Sequence, residues 1–280
     1  MKTAALITHS HPPSASEAVA VAAEVAHELG WRLAASQEEL EKHGAAGEGV
    51  DVTAEHTVPE ICLVLGGDGS ILHALRRFAG TEVPVFGVNF GTVGFLAAVE
   101  RGDARDGIRR ALQGEFETIQ LPGLEVTCDE VKAVGLNDIT LARRPHDRVA
   151  ELSYRIAGKE VGHVRCDGLV AATPVGSTGY NLANQGPILA WGVKGYVVSY
   201  IAPHSLTARA LVVAPEDILH IENAPEREPV EVAVDGGKVA ELAPGAELEV
   251  RFLDSVSRLA QLPGSSFYQR IRDKFGHLAV

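Results

Sequence analysis

Ile61-Cys62-Leu63-Val64-Leu65-Gly66-Gly67-Asp68-Gly69-Ser70-Ile71-Leu72 is the stretch on which the fold turns. An apolar strand runs into three glycines set around one aspartate, and a helix begins straight after. Glycines at the end of a buried strand let the backbone approach phosphate oxygens, and a helix N-terminus adds N–H donors. The segment holds no lysine, so it is not a Walker A loop. A carboxylate inside a phosphate cradle would repel the phosphates. Asp68 makes better sense as a group that takes a proton from a hydroxyl or hydrogen-bonds to it. The pattern points to phosphoryl transfer to an alcohol.

Working outward, the first ~115 residues alternate strand and helix signals. Ala4 to Thr8 reads as a strand. Ser14-x-x-Glu17 reads as a capping box, with Ala18, Val21, Ala22, Val25 and Leu29 on one helical face and Gly30 as the stop. Trp31 to Ala35 and Gln37 to His43 give a short strand and a short helix. After Ser70 a helix buries Ile71, Leu75 and Phe78. Val83 to Val88 is a strand, and Asp103 to Leu112 a helix closed by Gly114. Gly44 to Gly49 is the most loop-like segment. From about residue 117 period-two alternation takes over, at Leu124–Thr127, Leu152–Ile156, Leu219–Ile221, Val230–Val234 and Leu248–Phe252, with Asp235-Gly236 as a hairpin signal. Ser266 to Phe275 is an amphipathic helix with Phe267, Ile271 and Phe275 spaced to dock. The expected organisation is an α/β domain over 1–116, on which 259–280 packs back, and a β-rich domain over 117–258.

The bulk numbers exclude several classes. With 280 residues, 46% hydrophobic and 22% charged, the chain is long enough for two packed domains and is not disordered. A net charge of -12 argues against nucleic acid or an anionic membrane as partner. Any anionic substrate must therefore find its cations gathered locally. The 3 cysteines (Cys62, Cys128 and Cys166) are far apart and form neither a disulfide framework nor a zinc pattern. No apolar run is long enough for a membrane span, and the start is too short for a signal peptide, so a cytoplasmic protein is expected.

Further motifs surround the first. Gly87-Val88-Asn89-Phe90-Gly91-Thr92-Val93-Gly94-Phe95 follows the next strand and puts a second glycine-rich turn at the same sheet edge, where open α/β sheets bind ligands. The plain alternative is that such turns need glycine for φ > 0. Asp167 to Tyr180 joins a strand to a hydroxyl-rich turn in which Ser177 and Thr178 offer donors and Tyr180 a ring face. A capped turn with Tyr180 in the core reads equally from the residues. Asn137-Asp138 sets an amide beside a carboxylate in an apolar stretch, costly to bury without an acceptor or ligand. Taken alone, that pair is a turn.

Together, in this order, Gly66–Gly69, Gly87–Phe95, Asn137-Asp138 and Asp167–Tyr180 resemble the NAD kinase family, and Pro203-His204-Ser205-Leu206 looks like a further family segment. The glycine-aspartate turn by itself is shared with lipid kinases and some phosphofructokinases; the ordered set is specific. The resemblance implies a Rossmann-like, phosphofructokinase-like α/β N-terminal domain and a mostly β C-terminal domain that binds NAD. It implies phosphorylation of the adenosine-ribose 2′-hydroxyl of NAD by ATP, or by polyphosphate, with Mg²⁺ carried on the phosphates. It makes Asp68 the general base. It sets Gly69, Asn137, Asp138, Asp167, Val175 and the loop Thr178, Gly179, Tyr180, Asn181, Leu182 and Ala183 against NAD, with His73, Arg148 and Arg165 as cations beside the nucleotide. A lone arginine is more commonly a solvated surface charge. A homodimer or homotetramer is implied. Gly179 stands for the family's usual alanine, Gln185-Gly186-Pro187 for a double glycine before proline, Asp138 for the commoner glutamate, and Gly237 for a long polar residue. A kinase of another alcohol, such as a lipid, and a non-catalytic dinucleotide sensor are the rival readings.

Overall fold

The structure, a computed structural model, describes residues 1–9, 15–43, 47–53, 58–91 and 94–276. The chain divides into two units, Met1–Gln120 with Ser257–Val280, and Leu121–Val256.

The first unit opens with β1 (Thr3–Thr8), α1 (Ser16–Glu28), β2 (Arg32–Ala35), α2 (Gln37–Glu41) and β3 (Asp51–Val52). It continues through β4 (Ile61–Gly66), α3 (Asp68–Arg77), β5 (Pro84–Asn89), β6 (Val99–Glu100) and α4 (Ala104–Gln113). The strands pair in parallel in the order β3-β2-β1-β4-β5, with β6 on β5. Every residue of β4 and β5 is buried, as parallel strands covered on both faces require. Two helix ends differ from the sequence reading. α1 begins at Ser16 with Ala15 at the N-cap and no side-chain cap bond; Ser14 lies outside the described residues, as do 44–46 of the glycine-rich segment. Asp68 is not a loop residue but the first residue of α3, with Gly67 at the N-cap, where a carboxylate meets the positive end of the helix dipole.

The second unit holds most of β7 (Glu117–Cys128), then β8 (Val131–Gly135), β9 (Asp138–Arg143), β10 (Ala150–Ile156), β11 (Lys159–Cys166) and β12 (Gly168–Ala172). After α5 (Tyr180–Ala183) come β13 (Tyr196–Ile201), β14 (Leu211–Val213), β15 (Leu219–Asn223), β16 (Val230–Val234) and β17 (Gly237–Leu242). One antiparallel sheet runs β14-β13-β12-β9-β16-β17. A second set pairs β11-β10-β15 with the start of β18 (Glu247–Gln261). The inward residues of both, among them Leu141, Leu152, Leu169, Ile221, Val232 and Val250, form one core with Leu124 of β7. β10, β15 and β16 alternate buried and half-buried, whereas β12 is buried throughout and β13 up to Tyr200, because Leu189 covers the outer face at Val170 and Val197. Asp235 and Gly236, at φ 48° and 78°, make the tight β16–β17 hairpin that their dipeptide announces.

β18 crosses from the second unit to the first, where its end pairs in parallel with β5, Arg258 against Pro84 and Ala260 against Phe86. α6 (Phe267–Phe275) follows it there and docks Phe275 on Phe95, with ring centroids 5.4 Å apart.

Candidate active site

In the first unit the two glycine-rich turns meet. Gly66, Gly67 and Gly69 have no positive φ, nor do Gly87, Gly91 and Gly94. Left-handed backbone is thus not why these residues are glycine. Gly67 and Gly91 instead allow close approach: a Cβ built on Gly91 would lie 3.0 Å from Gly67 Cα. A Cβ on Gly69 would meet nothing within 4 Å, so the residue after the aspartate faces open space. The Asp68 carboxylate is half-buried and held at both oxygens, Oδ2 accepting from Phe95 N–H at 2.9 Å and Oδ1 from Leu96 N–H at 3.0 Å. Burial pushes the Asp68 carboxyl above the usual carboxylate range, against the pull of those two N–H groups and of the Arg270 and Lys274 charges.

Gly67, Gly69 and Ser70 of the same turn line a cavity of about 480 Å³ at the carboxyl ends of β1, β2 and β4, with Lys42, His73 and Arg77 on its wall. Behind it lies a network absent from the sequence reading. Thr8 Oγ donates to Glu39 Oε2 at 2.7 Å and lies 2.7 Å from His43 Nε2. Because the hydroxyl has one proton, its oxygen accepts from Nε2–H, leaving Nδ1 to accept from Ser16 Oγ at 3.1 Å. Burial holds the His43 imidazole below its usual range, and Lys42 is paired to Glu39.

In the second unit the Asn137-Asp138 turn is built from three sides. The Asp235 carboxylate accepts from Leu136, Asn137 and Asp138 N–H at 3.1, 2.7 and 3.2 Å. Thr173 donates its hydroxyl to Leu136 O at 2.6 Å and its N–H to Asn137 O at 2.9 Å. Gly176 packs so closely that a Cβ there would sit 1.9 Å from Asn137 O, so only glycine fits. The Asn137 amide is half-buried and makes no hydrogen bond with the described residues. Asp138 is buried, accepts among the described residues only from Thr140 Oγ at 3.2 Å, and has its carboxyl pushed up to about 6 by burial and by the Asp235 charge.

The hydroxyl-rich loop spends its donors differently from the sequence expectation. Ser177 is fully buried and donates to Pro174 O, and Thr178 donates to Val175 O at 3.2 Å. Asn181 is also fully buried, its Nδ2 clasping Ser177 O and Pro187 O while Oδ1 has no partner among the described residues. Val175 is buried, Leu182 half-buried, and Gly179, Ala183 and Tyr180 are exposed, so Tyr180 is not a core residue. The expected cations are tied to carboxylates: Arg148 to Glu228 at 2.9 Å and Arg165 to Glu151 at 3.1 Å, both exposed. Glu151, which also takes Arg227 and His163, is drawn down to about 2 by Arg227 first, then His163 and Arg165. Asp167 is half-buried and paired with Arg143 Nε at 2.6 Å. Asp235, Arg143 and the Thr8–Glu39–His43 network escaped the sequence reading. An Asp-Gly dipeptide marks a hairpin but does not say whose N–H groups its carboxylate meets.

A family model described as the ATP-NAD kinase N-terminal domain matches residues 7–116, and one described as the ATP-NAD kinase C-terminal domain matches 136–261. An NAD kinase of Rhodopirellula baltica is 35% identical over 222 residues, 78% of this chain and 71% of that protein. One of Syntrophotalea carbinolica is 30% identical over 278 residues, 95% of each. The chain belongs to the NAD kinase family. Two solved structures share the fold. Yeast NADH kinase complexed with NADH superimposes at TM-score 0.88 with 21% identity, covering 100% of this chain and 89% of that one. An NAD kinase from Archaeoglobus fulgidus in complex with ATP does so at 0.71 with 23%, covering 98% and 97%. Against the NAD kinase pattern, the departure at Gln185 has a visible cost: it sits at φ 61°, left-handed backbone that suits the glycine it replaces. Gly237 does not have positive φ, and nothing in the structure explains its departure.

Proposed function

We infer that this member of the NAD kinase family transfers the γ-phosphoryl group of ATP to the 2′-hydroxyl of the adenosine ribose of NAD, releasing NADP and ADP. The observation that carries the mechanism is the Asp68 carboxylate, fixed by two backbone N–H groups and raised in basicity by burial. A secondary hydroxyl is a poor nucleophile near neutral pH. As its oxygen attacks the γ-phosphorus, Asp68 accepts the hydroxyl proton and ADP leaves with the electrons of the broken P–O bond. We assign NAD to Asn137, Asp138, Asp167, Val175 and the Thr178–Ala183 loop, supported by the unpartnered Asn137 amide and the exposed Tyr180 ring. Asn181 serves there by holding the loop's shape. Arg148 and Arg165 serve as cations for the diphosphate once they leave their carboxylates, while Gly69 and His73 belong to the nucleotide site of the first unit. The donor's phosphates would meet Lys42, His73 and Arg77 in the cavity whose wall also carries Glu38 and Glu39, the latter paired to Lys42.

Among the described residues no three His, Cys, Asp or Glu side chains are grouped to hold a metal ion. In this reading Mg²⁺ enters as part of the MgATP substrate, where it would neutralise the transferring group. Inorganic polyphosphate is the alternative donor. Among the described residues no helix is long and apolar enough to cross a membrane. Three buried free cysteines support a cytoplasmic setting. Leu206, Leu211 and Val212, exposed on the second unit, support a homodimer or homotetramer, which light scattering distinguishes. The deciding assay is formation of NADP by purified protein from NAD with ATP or polyphosphate, beside a panel of other alcohol acceptors. Dinucleotide binding without NADP formation would favour the sensor reading, and turnover of a lipid or sugar alone would favour the other kinase.

A further inference from the structure

The two N–H groups that hold Asp68 belong to a segment whose opposite side is held just as firmly. Arg270, on α6, donates through Nη1 to Phe95 O at 3.2 Å and to Ala97 O. Gln261, at the end of β18, donates to Leu96 O at 2.8 Å, and its own Oε1 accepts from Arg270 Nη2. Three consecutive carbonyls, of Phe95, Leu96 and Ala97, therefore point at a bracket made by two side chains. The planar peptide joining Phe95 to Leu96 has its C=O on Arg270 and its N–H on Asp68 Oδ1. In a trans peptide these two groups point in opposite directions, so fixing the carbonyl fixes the N–H.

We infer that Arg270, with Gln261, is a positioning residue for phosphoryl transfer, holding the Phe95–Ala97 segment so that its N–H groups orient the Asp68 carboxylate and keep it ionised. This rests on Asp68 as the general base. Arg270 does so through geometry and through charge. The charged groups facing this corner are Arg270 and Lys274 from α6, which favour ionised Asp68, and Glu100, which lies 3.5 Å from Lys274 and acts on Arg270. The arrangement gives the distant end of the chain a task in the first unit's chemistry. The glycine-aspartate turn alone carries the base; α6 and the end of β18 aim it.

The test is Arg270→Met in the full-length protein, read by NADP formation across pH and by the ¹³C titration of the Asp68 carboxyl, assigned by its loss in Asp68→Asn. Misplacement of the base is expected to lower kcat about 10²-fold, with the KM for NAD within about threefold of wild type. Both the acidic limb of kcat and the Asp68 titration should move to higher pH, since a cation and two oriented N–H donors favouring the carboxylate are lost. Arg270→Lys should restore much of the titration but less of kcat, because an ammonium supplies the charge without the fork. An Asp68 titration unmoved in folded Arg270→Met overturns the inference. A titration that moves while kcat stays at the wild-type level upholds the bracket and counts against Asp68 as the base. Should Arg270→Met not fold, Gln261→Met cuts the bracket at Leu96 O and keeps the guanidinium; wild-type kcat with an unmoved Asp68 titration there overturns it equally.

Discussion

Among the described residues each unit offers one buried or half-buried carboxylate raised above its ordinary range, and the two are raised in opposite company. Asp68 is surrounded by groups that favour its charge: two N–H donors, the start of α3, Arg270 and Lys274. Only burial opposes them. Asp138 has one hydroxyl donor, and its neighbour is a second carboxylate, Asp235, whose lone pairs are already spent on three N–H groups. The first arrangement suits a base that must stay ionised and fixed through turnover. The second leaves its charge to be settled by whatever binds, as a substrate seat can afford and a base cannot.

The largest expected effect breaks the comparison on the first side. Asp68→Asn keeps the shape and one acceptor but removes the base. kcat for NADP formation should fall by ~10²–10⁴, with the folded state intact by circular dichroism and thermal melting. Wild-type turnover in this variant would remove Asp68 from the mechanism.

Asp138 sharpens the comparison through pH. Its folded-state pKa of about 6 lies above the ordinary ~3.9 of an unfolded chain. A carboxyl raised in this way contributes its stability at low pH and loses it as pH rises from about 4 through about 6. Above that window the fold bears a cost on the order of 2–3 kcal/mol. Asp138→Asn should therefore be more stable than wild type at pH 7.5, by up to that amount in urea melts, with the difference vanishing near pH 4. The same variant should bind NAD about tenfold more weakly at pH 7.5, through loss of a charge-assisted hydrogen bond. Wild-type affinity should fall toward the variant's as pH drops through about 6. Equal stability of the two proteins at both pH values would show that Asp138 is better solvated than its burial implies.

The cations divide the same way. Arg270 is committed to a site carbonyl network, whereas Arg165 shares Glu151 with Arg227 and His163 on an exposed edge. Arg165→Ala should raise the KM for NAD about tenfold, less at high salt. Arg148→Ala, from a more exposed pair with Glu228, should do less. Unchanged KM in both would leave the diphosphate to backbone N–H groups.

How far these features were legible follows from their range in sequence. The strand, the glycine turn and the start of the helix at Asp68 lie in one run of twelve residues, and local patterning reveals them. So do the hairpin at Asp235-Gly236 and the alternation of β10, β15 and β16. What sequence alone did not reveal was spent on long-range hydrogen bonds: Asp235 on the turn at 136–138, Arg270 on Phe95 and Ala97, Glu39 on Thr8. A side chain's partner across such separations is set by strand order and register, which no local window contains. The hydroxyls of Ser177 and Thr178 looked free for a ligand for a different reason. Their acceptors, Pro174 O and Val175 O, are close in sequence, but only the folded turn aims them inward.

The smallest expected effect concerns the one place where the second unit's loop pays for its shape. The first unit's two glycine-rich site turns, around Gly66–Gly69 and Gly87–Gly91, hold no left-handed backbone, whereas the loop after α5 puts Gln185 at φ 61° just before Gly186 and Pro187. Left-handed backbone costs a residue with a Cβ about 1–2 kcal/mol. Glycine avoids that cost and returns about 0.4–1 kcal/mol through the freer unfolded chain. Gln185→Gly should thus stabilise the protein by about 0.5–1 kcal/mol in urea unfolding. Gln185→Ala, which keeps the Cβ, should not. Because Gln185 is exposed, the gain would come from backbone conformation rather than lost contacts. If the loop seats NAD, the relaxed turn should leave the KM for NAD unchanged, since its position is set by the buried Asn181 clasp on Ser177 O and Pro187 O rather than by residue 185. A KM that moves with Gln185→Gly would show instead that the strained turn itself shapes the seat.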